Sequence, residues 1–326
     1  MAAIEKLGSL RFHGMLDDKN VSAVSFWNQR ALVVADEITD KGNVVQAFEN
    51  NGDDFRAAAQ GLTVLDVPGR AMEEMDLEGI AVDGQTVFVL GSHSSKRKKV
   101  DPAKAYARNR NALMSSPEVE SARDVLLRFE LDAAGKAGPI QRTSLRSYLS
   151  ATEPFKSFGI IPSKENGIDA EGLAVWNQRL YVGFRGPVLR GNFTPILRCR
   201  FGSPIAEPEL LFVNLGGRGM RDLARVEGGL LILAGPVGDG PGSYQLYLWD
   251  GRDGVPGTGA HTSAIDPGLR LIGDLPIPSS DANGHGTAAR AEGVALIEET
   301  SHHLRILVVF DGLKDGHATR FRVEKP

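Results

Sequence analysis

The sequence predicts an all-β fold, a five-bladed β-propeller filling one domain over residues 1–326. Three observations predict it. The phrase Asp-x-Glu-Gly-[Ile/Leu]-Ala-Val occurs at Asp76–Val82 and Asp169–Val175, and a shortened copy, Ala-Glu-Gly-Val-Ala-Leu, lies at Ala291–Leu296. Self-similarity at such spacing marks a fold of copied units. Each copy is followed by a second hydrophobic run, Val87–Leu90, Leu180–Phe184 and Arg305–Phe310. The last unit lacks a fourth strand, which the N-terminus can supply, and ring closure of that kind protects the edges of a propeller.

Two further units appear on alignment. Gly172–Gly186 and Ala23–Glu37 share Trp-Asn-Gln-Arg, at Trp27–Arg30 and Trp176–Arg179, which sets Ser22 opposite Glu171. Met220–Gly235 aligns without gaps and sets Arg221 there. The five units begin near Asn20, Asp76, Asp169, Met220 and Ala291; the last needs about six extra residues, Glu298–His303, before its second strand.

Each unit opens with a short apolar strand, a polar or glycine turn, and a stronger apolar strand. Third strands are expected at Val44–Phe48, Val125–Leu131, Ile196–Phe201, Gln245–Trp249 and Thr319–Val323. Fourth strands are expected at Leu62–Val67, Gln141–Leu149, Glu209–Leu215 and Leu269–Leu275, with Ser9–His13 completing the last blade beside Thr319–Val323. Only Pro102–Met114 approaches helical periodicity. A six-bladed count follows if residues 92–165 hide a degenerate blade.

Composition narrows the function. A formal net charge of -4 argues against a general nucleic-acid binder. Cys199 is the single cysteine, so neither an internal disulfide nor a cysteine-rich zinc site can form. No run approaches the ~18 apolar residues of a membrane span, and the start MAAIEKLGSLRFHG lacks the apolar stretch of a signal peptide. The expectations are no membrane partner and a cytoplasmic location, or a periplasmic or secreted one if a signal peptide has been removed. HxxE, HxH, Walker and nucleophile-elbow patterns are absent, and Gly216-Gly217-Arg218-Gly219 precedes a strand, unlike a dinucleotide fingerprint.

Several motifs together resemble the family labelled domain of unknown function 3616. They are Asp76–Val82, Gly91–Ser94, Glu171–Val175 with Gly183–Pro187, Gly216–Leu223, Ala234–Pro236, Leu246–Gly251, and the closing EGVAL and FDG. The resemblance spans most of the chain and implies a propeller without a settled activity. The Glu-Gly strand starts also look like those of the esterase-like phytase domain family.

The first strand of each propeller blade lines the channel, so Ser22, Glu78, Glu171, Arg221 and Glu292 should meet near the axis. Carboxylates this crowded need a cation to stay ionised. It is either a hard metal such as Ca²⁺ or Arg221, forking between carboxylates. The pattern is similar to that of calcium-activated nucleotidases, five-bladed propellers with calcium in the tunnel held by serine and glutamate side chains. The resemblance implies Ser22, Glu78, Glu171 and Glu292 as ligands; Arg221 departs from it.

Second strands end at Asp36, Ser92, Arg185, Gly235 and Asp311, a layer expected about one strand length from the first ring. His93 is the candidate proton-transfer group, and Arg185 can bind a carboxylate or phosphate through two hydrogen bonds. The insertion Ser94–Ser121 carries Lys96, Arg97, Lys98, Lys99, Lys104, Arg108 and Arg110, and should lean over the mouth with Arg97, Asn109 and Arg110 inward. Arg218, Arg290 and the GHGTAAR loop with His285 precede first strands.

Two functional readings follow. One is a hydrolase of a small anionic ester, a phosphoester above all, assisted by calcium. Its activity would be abolished by Glu171→Gln and reduced by Arg185→Ala, with Arg97, Arg110, Arg218 and Arg221 holding substrate. The other is a non-catalytic propeller binding an anionic ligand or a protein.

Overall fold

The structure, a computed structural model, describes residues 3–52, 54–240, 242–257, 268–278 and 289–325. The inner pair of each blade is Val21–Trp27 with Arg30–Ala35, Leu77–Asp83 with Thr86–Gly91, Asp169–Trp176 with Arg179–Gly186, Gly219–Val226 with Gly229–Gly235, and Arg290–Glu299 with His303–Asp311. Two outer strands complete each antiparallel sheet, giving five blades. In both Trp-Asn-Gln-Arg copies the central residues have positive φ, 44° and 65° at Asn28 and Gln29, 50° and 59° at Asn177 and Gln178. Both turns thus meet the type I′ requirement, whose twist matches the flanking strands.

Hydrophobic side chains fill the spaces between blades. Trp27, Leu32 and Val45 meet Ile80, Val87 and Phe129 between the first two blades. Phe88 and Leu126 meet Phe184 and Leu197 at the next interface. Tyr181 and Ile196 meet Ile232 and Trp249, Leu233 and Leu246 meet Val308 and Phe310, and Leu307 and Val309 meet Phe12 and Phe48 across the closing seam. Each such buried side chain contributes ~1.5–3 kcal/mol relative to exposure.

The N-terminus closes the ring in the last blade, as expected, but through Ile4–Ser9 in place of Ser9–His13. Ile4–Ser9 pairs with Thr319–Glu324, Ile4 opposite Val323 and Ser9 opposite Thr319. Phe12–His13 runs parallel to the outer strand Phe55–Val64 of the first blade instead. Phe12 is fully buried there, with its ring 4.9 Å from Phe48 and 5.1 Å from Phe55. That aromatic pocket draws the segment off the last blade.

No sixth blade exists in residues 92–165. The insertion forms a short hairpin, Ser95–Lys96 with Glu118–Val119, and the helix Tyr106–Leu113, which buries none of its residues. The fourth strand of the second blade stops at Thr143, and the chain continues as the helix Arg146–Ala151. Leu145 and Leu149, four residues apart and both buried, have the spacing of one helix face. In the last blade the extra residues lengthen the strands, with a register slip between Leu296 and Glu298, and leave a turn only at 300–302. No helix among the described residues is long and apolar enough to cross a membrane.

Candidate functional site

Each inner strand slips register at the ring position. The pairing skips Ser22 between Val21 and Ala23, Glu78 between Leu77 and Gly79, and Glu171 between Ala170 and Gly172. It skips Arg221 between Met220 and Asp222, and Glu292 between Ala291 and Gly293. A β-bulge leaves one residue unpaired and re-aims its side chain, so five bulges turn these five residues off the blade faces. The glycines that follow three of them permit close approach: a Cβ on Gly79 would lie 2.8 Å from the Glu171 carbonyl oxygen, and one on Gly293 2.9 Å from Ala23 Cα. In the fourth blade the following residue is Asp222, whose carboxylate accepts from Val294 N–H of the next blade and from Leu223 N–H, both at 2.8 Å.

The ring is joined by Arg221. Its Nη1 donates to Glu171 at 3.0 and 3.1 Å and to Glu292 at 2.7 Å, all three side chains being buried. Ser22 Oγ donates to the Leu77 carbonyl at 2.5 Å. Of the expected metal set of Ser22, Glu78, Glu171 and Glu292, Glu78 and Glu171 carry oxygens within 4.8 Å of one another. Two of the set's carboxylates are bound by a guanidinium, and the serine is turned to backbone.

Arg185 joins the same network. It donates to Glu171 at 2.8 Å and pairs with Asp169 through its other Nη. Second-strand ends thus lie within one side-chain contact of the ring, not a strand length away. In an antiparallel hairpin the end of the second strand adjoins the start of the first.

A cavity of about 660 Å³ opens above this layer. Asp36, Asp76, Glu78, Asp169, Arg185 and Arg290 line its inner part, and Lys96, Arg97, Lys98, Lys99 and Lys164 its outer part. Carboxylates outnumber guanidiniums at the floor. Asp169 and Glu171 are met by Arg185, Asp311 by Arg290 at 2.8 Å, and Asp76 by Arg123 at 2.5 Å and Ser92 at 2.5 Å. The Glu78 carboxylate has no hydrogen-bond or ion-pair partner among the described residues, and Asp36 Oδ1 is buried without one. Oxygens of Asp36, Asp76 and Glu78 lie within 4.8 Å of one another, as do those of Glu78, Asp169 and Glu171. Asp76 holds a left-handed backbone, φ 51°.

Burial, reinforced by Asp76, Asp311, Glu292 and Glu37, pushes Asp36 up to about 8. Burial and then Asp76, Glu171, Asp36 and Asp169 push Glu78 well above the usual carboxylate range. Burial also raises Glu171, to about 7, against the pull of Arg185 and Arg221. Two unpaired carboxyls and a third engaged on one side form a donor set suited to a hard cation, and the orphaned Asp36 oxygen fits one. A divalent ion there would have Asp36, Asp76 and Glu78 as ligands, a set shifted outward from the one expected.

Other sequence candidates are placed differently. His93 is fully buried and does not line the cavity. Its Nδ1 meets the Gly91 carbonyl at 2.8 Å, its Nε2 accepts from Leu145 N–H at 3.0 Å, and burial lowers it to about 4. It is neutral and fixes a turn, which removes it as a proton shuttle. Arg97 lines the cavity but pairs with Glu165 at 2.5 Å. Arg110 is exposed on its helix, outside the cavity, and Arg218 donates to Ser243 at 2.6 and 3.1 Å. Asn109 ties Asp101 within the insertion. His285 lies outside the described residues. The basic insertion is largely neutralised, Lys96 by Glu120 at 2.8 Å and Lys98 by Glu118 at 3.5 Å. Asp76, Asp169 and Arg123 were not singled out from the sequence. The Asp that opens both Asp-x-Glu-Gly copies is the signal that could have found two of them.

A protein-family model described as "Protein of unknown function (DUF3616)" matches residues 20–322. No curated protein matches the chain. Among solved structures, a "putative glycosidase from Bacteroides thetaiotaomicron" is 11% identical with TM-score 0.48, over 94% of this chain and 87% of that one. A hypothetical protein from Leishmania major is 14% identical with TM-score 0.45, over 98% and 89%. The WD40 propeller domain of Doa1 is 10% identical with TM-score 0.34, over 98% and 73%. At these scores none bears on chemistry.

Proposed function

The chain belongs to the DUF3616 family, and we propose that it binds a divalent cation, calcium by ligand type, at Asp36, Asp76 and Glu78 and there hydrolyses a small anionic ester, a phosphoester by charge. The observation that carries the reading is the pair of unpartnered carboxyls, Asp36 and Glu78, beside Asp76 at the floor of the 660 Å³ cavity. Oxygen-only donors and an excess of carboxylates favour a hard cation.

When bound, such an ion supplies a Lewis acid that polarises an ester oxygen and lowers the pKa of water. The chain's own residues do the rest. Arg185 and Arg290 stand in the cavity wall, held by Asp169, Glu171 and Asp311, and present fixed positive charge to an anionic group. Lys99 at the rim, with no carboxylate partner among the described residues, favours entry of anions. Asp36 without the cation is protonated at neutral pH, so proton and cation compete for it.

The test is elemental analysis of protein purified without chelator, with a panel of aryl phosphomonoesters, phosphodiesters and carboxylic esters in calcium. The reading expects metal bound in the wild type, lost in Glu78→Gln together with turnover, and a raised KM in Arg185→Ala. Metal binding without turnover of any ester would leave the binding-propeller function; neither metal nor turnover would overturn the proposal.

A further inference from the structure

On the closing seam, away from the channel mouth, a cleft of about 390 Å³ opens between the first and last blades. Its wall includes Leu10, Phe26, Phe55 and Leu296. Leu10 and Phe55 are buried, and the rings of Phe26 and Phe55 lie 6.2 Å apart. Two arginines enter this apolar wall, Arg305 and Arg320. Arg305 is matched by Glu298 at 3.0 Å. Arg320 makes no ion pair among the described residues, and its Nε is buried without an acceptor.

The placement of Arg320 follows from the register. It sits between Thr319 and Phe321, both fully buried on the opposite face of the strand, so it projects toward the first blade. It is paired across to Gly8 on the closing strand, and a Cβ on Gly8 would come within 3.9 Å of an Arg320 Nη. A buried donor left unmatched is costly, and a guanidinium fork is shaped for the two oxygens of a carboxylate. Aromatic walls and a few placed polar groups are the usual makeup of a small-molecule site.

We infer that this seam cleft is a second binding site, for a small organic carboxylate with an aromatic or branched aliphatic body. The carboxylate pairs with Arg320, and the body lies against Phe26, Phe55, Leu10 and Leu296. The site shares no residue with the channel mouth and stands whether or not the mouth hydrolyses esters.

Calorimetric titration of the wild type with phenylacetate, 2-phenylethanol and inorganic phosphate tests it. Phenylacetate should bind with Kd at or below ~1 mM, a value ordinary for a ligand of its size. Phenylethanol, which keeps the ring and loses the charge, and phosphate, which keeps charge and loses the ring, should each bind at least about tenfold more weakly. Arg320→Gln should weaken phenylacetate about tenfold or more and Arg320→Lys less, while Glu78→Gln leaves it unchanged. Absent phenylacetate binding, or equal binding of phenylethanol or phosphate, overturns the inference. The three-ligand comparison needs no variant, so it decides even if Arg320→Gln fails to fold.

Discussion

Replacing Asp36 by Asn should stabilise the cation-free protein at alkaline pH and at the same time blunt its response to calcium. In the folded chain Asp36 is raised from 3.8 to about 8. A carboxyl raised by folding binds more protons in the native state than in the unfolded one between those values. Its contribution is therefore intact below about pH 4 and is lost as pH rises toward 8. At ~1.4 kcal/mol per pH unit the loss has a ceiling near ~6 kcal/mol. The side chain is partly open to the cavity, where the effective dielectric is high, so about 2–3 kcal/mol is the working figure. Calcium at about a hundredfold excess over its Kd would restore ~2.7 kcal/mol. Urea denaturation of wild type and Asp36→Asn at pH 6 and pH 9, with calcium or chelator, reads both effects. At pH 9 in chelator the variant should be the more stable by about 2–3 kcal/mol. Calcium should then stabilise the wild type strongly and the variant little, with both responses small at pH 6. A variant no more stable than wild type at pH 9, or one that keeps the full calcium response, would refute the reasoning.

Three further outcomes are expected. Arg221→Met should cost ~3–5 kcal/mol in denaturation experiments with or without calcium, because Glu171 and Glu292 lose their shared partner while the cation site lies outside them. His93→Ala should lower stability by ~1–3 kcal/mol by orphaning the Leu145 N–H, and should leave the pH profile of any ester hydrolysis unchanged. Deleting residues 1–9 should bare the edge of Thr319–Glu324, lowering the melting temperature and promoting self-association in gel filtration.

The five units were legible because three inner strands share a phrase and two more align with them without gaps, and alignment alone brought Glu78, Glu171, Arg221 and Glu292 to one level. The bulge that points them inward was not legible, since it is a property of pairing. The Asp that opens the repeat, Asp76 or Asp169, sits two residues before the ring, and the antiparallel hairpin folds Arg185 back beside it. Reading the second-strand ends as a distant layer hid that contact. The positive field expected of the insertion is mostly cancelled by residues remote in sequence, Glu165 for Arg97 and Glu120 for Lys96. Such pairings arise from tertiary contact, which charge runs do not encode. His93 looked chemical because histidine titrates near neutrality, but full burial in a turn keeps it neutral.

Calorimetric titration of calcium into chelator-treated protein at pH 8, wild type against Glu78→Gln, addresses the central claim most directly. The account predicts one site per chain in the wild type, weakened at least about tenfold in the variant, since one of three carboxylate ligands is gone. Calcium binding of equal strength in both proteins, or none in the wild type, would contradict it.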